Sequence, residues 1–321
     1  MRPLRLLLAT AAAAAGAACA TPPPTGRPVR VEIPAGASLK AIADTLHKYQ
    51  VIDVPRFFRI YTKLSGHERD IQAGIYDLHR HRPVGEVLEA LTTGGGAYHR
   101  LAMPEGLMLH ELAGLVERRL GIPAESLLAA TRDSGLIARV APGAPSLDGY
   151  LYPSTHFVPL RATARDVVRQ LVAEFEARWK PEWNGRLAAL QLTRHQTVIL
   201  ASIIEGEVRQ ERDRPYVSSV YHNRLRAGWR LQADPTVIYA LGRRRRLYEK
   251  DYLLRSPYNT YLIDGLPPGP INQPSAASLE AALYPADTRF FFMVAGADGQ
   301  HIFSRTLREH LAAVRRVRQQ R

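Results

Sequence analysis

The segment Thr197-Val-Ile-Leu-Ala-Ser-Ile-Ile-Glu205-Gly-Glu207 ends an uncharged run on a carboxylic acid. From Val198 to Ile204 only Ser202 is polar, a composition suited to a helix buried on all sides. A carboxyl group tethered to such a helix is desolvated, which disfavours its charged form and raises its pKa. A carboxylic acid kept protonated near neutral pH can donate that proton to a leaving group. The simpler reading makes Glu205 an ordinary helix-end glutamate paired with Arg209 one turn on. Glu207 points elsewhere on the helix and shares a face with Glu211, and both are expected in solvent.

Further polar residues follow. Val220-Tyr-His-Asn-Arg224 lies within a helical pattern, where His222 reads as a satisfied histidine rather than a base. Leu231-Gln-Ala-Asp234-Pro235-Thr236 opens another helix, expected to run to Gly242. Asp234 as N-cap and Pro235 at the first helical position explain that pair structurally, in competition with a catalytic role for Asp234. Ser256-Pro-Tyr-Asn-Thr-Tyr261 and Asp264-Gly-Leu-Pro-Pro-Gly-Pro-Ile271 form a rigid loop of rings and amides. Flat apolar rings stack on pyranose faces and amides bond sugar hydroxyls, although such a loop also serves as plain connection. The sequence has no phosphate-binding glycine loop, His-Glu-x-x-His or Gly-x-Ser-x-Gly, and its eleven histidines lack metal-ligand spacing. No cofactor or metal is expected.

These groups need a frame. Val29–Ile33 alternates like a strand, and Ser38 caps a helix carrying Leu39, Ile42, Ala43 and Leu46 on one face. Residues 73–78 read as a second strand, and 84–91 as a helix ended by Gly94-Gly95-Gly96. The stretch from Ile33 to Ala43 is echoed from Met103 to Ala113, which predicts a duplicated strand–turn–helix element. From about Ser146 the texture becomes helical, over Ala164–Arg178, 188–210 and 215–227. A hairpin follows, with 289–295 and 301–303 flanking Asp298-Gly299. A last helix capped at Thr306 is expected to turn Leu307, Leu311 and Val314 inward. The order implies an α+β chain: a small α/β region, then a mainly helical half with one short antiparallel hairpin.

The 321 residues suffice for two domains, and 46% hydrophobic residues exclude wholesale disorder. One cysteine excludes a disulfide framework. Arg2 and Arg5 precede an uncharged Leu/Ala-rich stretch to Ala20, and Thr21-Pro-Pro-Pro-Thr-Gly26 follows as a linker. That pattern is an export segment, either a cleaved signal, a lipoprotein signal modified at Cys19 or a retained anchor. The formal charge of +13 calls for an anionic partner. The basic run 243–246 lacks the interleaved aromatics that stack bases, so nucleic acid is not expected.

In order and spacing, Leu200-Ala-Ser-Ile-Ile-Glu205, Val217-Ser-Ser-Val-Tyr-His-Asn-Arg-Leu225 and Leu231-Gln-Ala-Asp-Pro-Thr-Val237 resemble the endolytic murein transglycosylase (YceG-like, MltG-type) family. Ser256-Pro-Tyr-Asn-Thr-Tyr261, Gly265-Leu-Pro-Pro-Gly-Pro-Ile271, the hairpin and Asp148-Gly-Tyr-Leu-Tyr-Pro153 extend the resemblance. Asp148 stands where glutamate is usual, Ser154 where aspartate is common, and Ala233 where a hydroxyl residue usually follows the glutamine. Gln273-Pro274-Ser275 replaces a more typical Asn/Thr-Pro-Gly turn. None of these departures is expected to touch the glutamate.

The resemblance implies an export segment or anchor at 1–20, a linker at 21–28 and a LysM-like glycan-binding module at 29–98. A second strand–helix element at 99–145 would lead into a catalytic domain at 146–321. Glu205 matches the family's catalytic glutamate, with Asn223, Gln232, Asp234, Tyr258 and Asn259 as substrate-binding candidates. The implied enzyme is a lyase at the periplasmic side of the inner membrane. It would cut the MurNAc-β-1,4-GlcNAc bond of nascent peptidoglycan, leave 1,6-anhydro ends and so terminate glycan elongation. Expected partners are glycan strands, the membrane and peptidoglycan synthases. Two alternatives remain: a hydrolytic muramidase with Asp234 or Glu207 as second carboxylate, and a non-catalytic peptidoglycan-binding scaffold.

Overall fold

The computed structural model describes residues 27–34, 36–93, 97–296 and 298–320. The export segment, Cys19 and most of the linker lie outside the described residues. The chain divides into two compact units, Met1–Tyr98 and His99–Arg321. Among the described residues no helix is long and apolar enough to cross a membrane.

The first unit runs β1 (Val29–Ile33), α1 (Leu39–Lys48), α2 (Pro55–Leu64), β2 (Gly74–Leu78), α3 (Val84–Thr93) and into β3 (Ala97–Ala102). β1 and β2 pair antiparallel from Val29↔Leu78 to Ile33↔Gly74, and β2 meets β3 at Ile75↔Tyr98. Ser38 caps α1 as expected, accepting from the Ala41 amide at 3.2 Å. Its apolar face buries Ile42, Ala43 and Leu46 with Val31, Ile33 and Tyr76.

In the second unit, the end of β3 is followed by α4 (Leu109–Leu120), α5 (Ala124–Ala130), α6 (Ser134–Val140), β4 (Thr155–Pro159), α7 (Ala164–Arg178), α8 (Glu182–Leu190) and α9 (Arg194–Glu207). Then come α10 (Arg214–Arg226), α11 (Asp234–Ala240), α12 (Ala276–Leu283), β5 (Phe292–Ala295), β6 (His301–Ser304) and α13 (Leu307–Gln319). The fold is α+β. The echo in the sequence is an echo in structure. Gly36 and Gly106 both take left-handed φ, at 75° and 71°, before α1 and α4. The buried triplet Ile42, Ala43 and Leu46 recurs in α4 as Leu112, Ala113 and Val116.

Helix α9 is the axis of this unit. Thr197 to Ile204 are all buried, in one core with Leu112, Leu151, Phe175, Tyr221 and Leu279. The single helix expected over 188–210 is two. Gln191 takes a left-handed conformation (φ 55°) and ends α8, and Thr193 with Gln196 makes a capping box that starts α9. The last helix is capped at Thr306 as expected, but Leu307 and Leu311 face solvent and Ala313 and Val317 are the buried residues. α13 packs against the two-stranded hairpin rather than a deep core. That leaves its first turns with an open side.

Candidate active site

The C-terminal end of α9 carries Glu205, Gly206 and Glu207 out of the core. The Glu205 side chain keeps only 10% of its surface. Its Oε2 accepts from the Ser275 amide at 3.0 Å, from the Ser275 hydroxyl and from Arg214 Nη1 at 3.0 Å. Arg209 is not the partner: the cation comes from the start of α10. Arg214 is itself 7% exposed and is shared with Glu211 Oε1 at 2.6 Å. Burial works against the Arg214 cation, but its bonds and charges with Glu211 and Glu205 outweigh it and hold its pKa above the usual value. Among the described residues, Glu205 Oε1 makes no hydrogen bond.

Ser275 therefore sits at the centre of the site, although the departure at 273–275 was expected to stay clear of the glutamate. Its hydroxyl also accepts from the Ser278 amide at 3.2 Å, as N-cap of α12. Gln273, fully buried, fixes this loop. Its Oε1 accepts from the Gly149 and Leu151 amides at 2.9 and 3.1 Å, and its Nε2 donates to Asp148 Oδ1 at 2.6 Å. Its backbone pairs with the turn before α4 through Gly106 N to Gln273 O (2.8 Å) and Gln273 N to Leu107 O (2.9 Å). That turn lies against Glu205: a Cβ on Gly106 would come 3.6 Å from Glu205 Cγ.

Glu105 stands in the same turn. Partial burial and then the neighbouring Glu205 charge push its pKa up. Sequence reasoning missed it, yet a signal was present, since Pro104-Glu105-Gly106 echoes Pro34-Ala35-Gly36 with an acid in place of alanine.

Glu207 departs from expectation. It is only partly exposed; desolvation, reinforced by the Asp234 charge, pushes its pKa up to about 7 against the opposing Arg224 and Arg209. Asp234 is not the cap of α11. Ala233 holds that position, and the Asp234 carboxylate instead accepts from the Tyr261 hydroxyl at 2.7 Å and the Tyr252 hydroxyl at 3.4 Å. Gln232 adopts left-handed φ (50°) with its amide bound to Thr260 O at 3.1 Å, leaving its side chain exposed. Near this helix end, Tyr221 Oη and Asn272 Oδ1 are buried without a protein partner among the described residues.

The remaining candidates are structural in their contacts. Asn223 is buried, and its amide donates to Thr288 O and Phe290 O at 3.1 and 2.8 Å. Asn259 is buried too, donating to Tyr252 O and Leu254 O at 3.0 and 2.8 Å. Both amides hold loops rather than face a cleft. Tyr258 packs its ring 4.6 Å from Tyr239, whose hydroxyl donates to Asp148. His222 gives Nε2 to Ala282 O at 2.8 Å, and burial lowers its pKa. A cleft of about 500 Å³ lined by Arg186, His222, Arg226 and Asp287 shares no residue with the Glu205 cluster.

A buried helix thus delivers one carboxylate with one oxygen held by three donors and the other without a hydrogen bond among the described residues. The YceG-like family matches residues 31–316, and the chain belongs to that family. A Bacillus subtilis protein named endolytic murein transglycosylase is 31% identical over 88% of this chain and 82% of its own length. A Streptococcus pneumoniae protein of the same name is 27% identical over 88% of this chain, which spans 58% of that longer protein. A YceG-like crystal structure from Listeria monocytogenes superposes with a TM-score of 0.64 at 31% identity, covering 88% of this chain and 98% of that one.

Proposed function

We propose that this chain is an endolytic murein transglycosylase that uses Glu205 to cut the MurNAc-β-1,4-GlcNAc bond. The observation that carries the reading is the asymmetry of the Glu205 carboxyl: Oε2 is fixed by Ser275 and Arg214, and Oε1 is left for the substrate. The names of the relatives support the same reaction class.

In this reading Oε1 carries the catalytic proton. Glu205 gives it to the glycosidic oxygen as the C1–O bond breaks, and the GlcNAc side leaves as an alcohol. The muramyl C6 hydroxyl then attacks C1, and its proton returns to Oε1. The ring closes as a 1,6-anhydro end, with no water consumed. Fixed donors on Oε2 cost no reorganisation during the reaction. Asp234 and Gln232 are the groups assigned to orient sugars. Such cuts in nascent strands terminate glycan elongation.

The cellular setting belongs to the same proposal. The chain works on the periplasmic face of the inner membrane, attached through residues 1–20, and meets peptidoglycan synthases there. The strand–helix–helix–strand order of β1, α1, α2 and β2 supports a LysM-like glycan-holding role for residues 29–98.

Mass spectrometry of digested sacculi tests the chemistry. Anhydro-muramyl ends are expected, and Glu205→Gln, folded by circular dichroism, should release almost none. Reducing muramyl ends would instead make the enzyme a hydrolase. Wild-type release by Glu205→Gln would show that Glu205 is not the acid, and a parent chain that releases nothing would leave the scaffold reading. N-terminal sequencing and labelling with a palmitate analogue decide the fate of Cys19.

A further inference from the structure

Helix α2 has an apolar face that the first unit does not bury. Its inner side carries Phe58 and Thr62, both 0% exposed. On the outer side Phe57, Ile60, Tyr61 and Leu64 are 56%, 47%, 40% and 84% exposed. Their i, i+3, i+4, i+7 spacing makes one stripe, which Val54 (56% exposed) extends at the N-terminal end. Single exposed apolar residues are ordinary on a protein surface, but a stripe of four calls for a partner.

The chemistry beside the stripe selects among partners. Helix α2 contains Arg56, Arg59 and Lys63 and no acidic residue. A cationic flank beside an aromatic and aliphatic face is the composition of a helix lying in a membrane interface. Of the four stripe residues only Tyr61 offers a hydrogen bond, so hydroxyl-rich glycan is a poor match. Anionic headgroups meet the arginines and the lysine, while acyl chains take Ile60 and Leu64. The position in the chain agrees. The uncharged stretch ending at Ala20 is joined to β1 by residues 21–28, a tether reaching at most about 29 Å when extended.

We propose that the outward face of α2 docks on an anionic phospholipid surface, a second membrane contact beside the N-terminal segment. The proposal rests on the reading that residues 1–20 attach the chain to a membrane. A contact of this kind adds affinity to attachment through a single acyl chain or a short apolar segment.

Benzoylphenylalanine is placed at Phe57, at Leu64 or at the exposed strand residue Glu32 of the full chain. The protein is then mixed with vesicles of phosphatidylglycerol and phosphatidylethanolamine, irradiated and floated. Lipid adducts are expected at positions 57 and 64, at least tenfold above position 32. They should be lost in phosphatidylcholine vesicles and in the Arg56→Glu, Lys63→Glu double variant, which keeps the buried residues. A chain that floats without lipid adducts at 57 and 64 overturns α2 docking and leaves attachment through residues 1–20 standing. Adducts to a second copy of the chain overturn it as well. A chain that neither floats nor gives adducts overturns both readings.

Discussion

The Ser275 hydroxyl donates to Glu205 Oε2 while it caps helix α12 by accepting from the Ser278 amide. A hydroxyl has one proton to give. Because Ser278 N and Arg214 Nη1 donate to the oxygen, that proton is committed to Glu205. The same atom therefore ties the start of a helix to the acid of the site. A glycine at this position would supply the backbone amide but no hydroxyl.

Replacing Ser275 by glycine should keep the amide donor and lose the hydroxyl. Hydrogen bonds to charged groups contribute about 1.5–3 kcal/mol, so kcat is expected to fall by about ten- to 150-fold, with KM little changed. Ser275→Thr should restore most of the rate, because it keeps both the donor and a capping oxygen. Muropeptide release across pH provides the readout. Equal rates for Ser275→Gly and the parent would show that the hydroxyl does not act on Glu205.

Gly206 separates the two glutamates by close packing. A Cβ there would lie 2.7 Å from Pro235 Cβ and 3.0 Å from its Cγ. A proline ring cannot swing away, so Gly206→Ala must displace either the end of α9 or the start of α11. Overpacking of this kind costs about 1–3 kcal/mol. Urea unfolding should show a loss of about 2 kcal/mol, and activity should drop further because Glu205 moves with its helix. Unchanged stability would mean that α11 is loosely seated.

Gln273 is the joint between three backbone segments. Gln273→Ala leaves the Gly149 and Leu151 amides without their acceptor and Asp148 without one donor. Each buried group so stranded costs about 1–3 kcal/mol. Destabilisation of roughly 3 kcal/mol or more is expected in denaturant titrations. Gln273→Glu keeps the acceptor but sets a second carboxyl against Asp148, so its deficit should shrink as pH falls. A deficit independent of pH would contradict that contact.

The frame was more legible in the sequence than the contacts of the site. Local patterns carry strands, caps and apolar faces: Ser38 and Thr306 cap where their side chains predict, and the echo from Ile33 to Met103 recurs in buried residues. The break between α8 and α9 was hidden because Gln191, not glycine, takes the left-handed conformation. Asp234 looked like a cap because capping is local, while the hydroxyl that binds it comes from Tyr261, 27 residues on. Glu205 was visible at the end of its apolar run. Its partners were not, since Arg214 is nine residues away and Ser275 seventy. Glu207 went unnoticed as a buried acid for the same reason: Tyr221, Arg224 and Asp234 meet it only in the fold.

Two desolvated acids, Asp148 and Glu207, set a pH dependence with a definite sign. Burial raises Asp148 from an ordinary 3.8 to about 6, against opposing bonds from Tyr239 and Gln273. Desolvation raises Glu207 from 4.5 to about 7. In each case the folded chain holds the proton more tightly than the unfolded chain, so stability falls as pH rises. The loss runs from about 4 to 6 for Asp148 and from about 4.5 to 7 for Glu207, and is complete above about 7. At about 1.4 kcal/mol per pKa unit, the acids account for at most about 3 kcal/mol (Asp148) and about 3.5 kcal/mol (Glu207). Unfolding free energies measured by urea between pH 4 and 8 should decline across that range. Glu207→Gln should remove the upper part of the slope. Asp148→Asn should remove the lower part, since asparagine can still accept from Gln273 and donate to Tyr239. A slope left intact in both variants would place the titrating groups elsewhere.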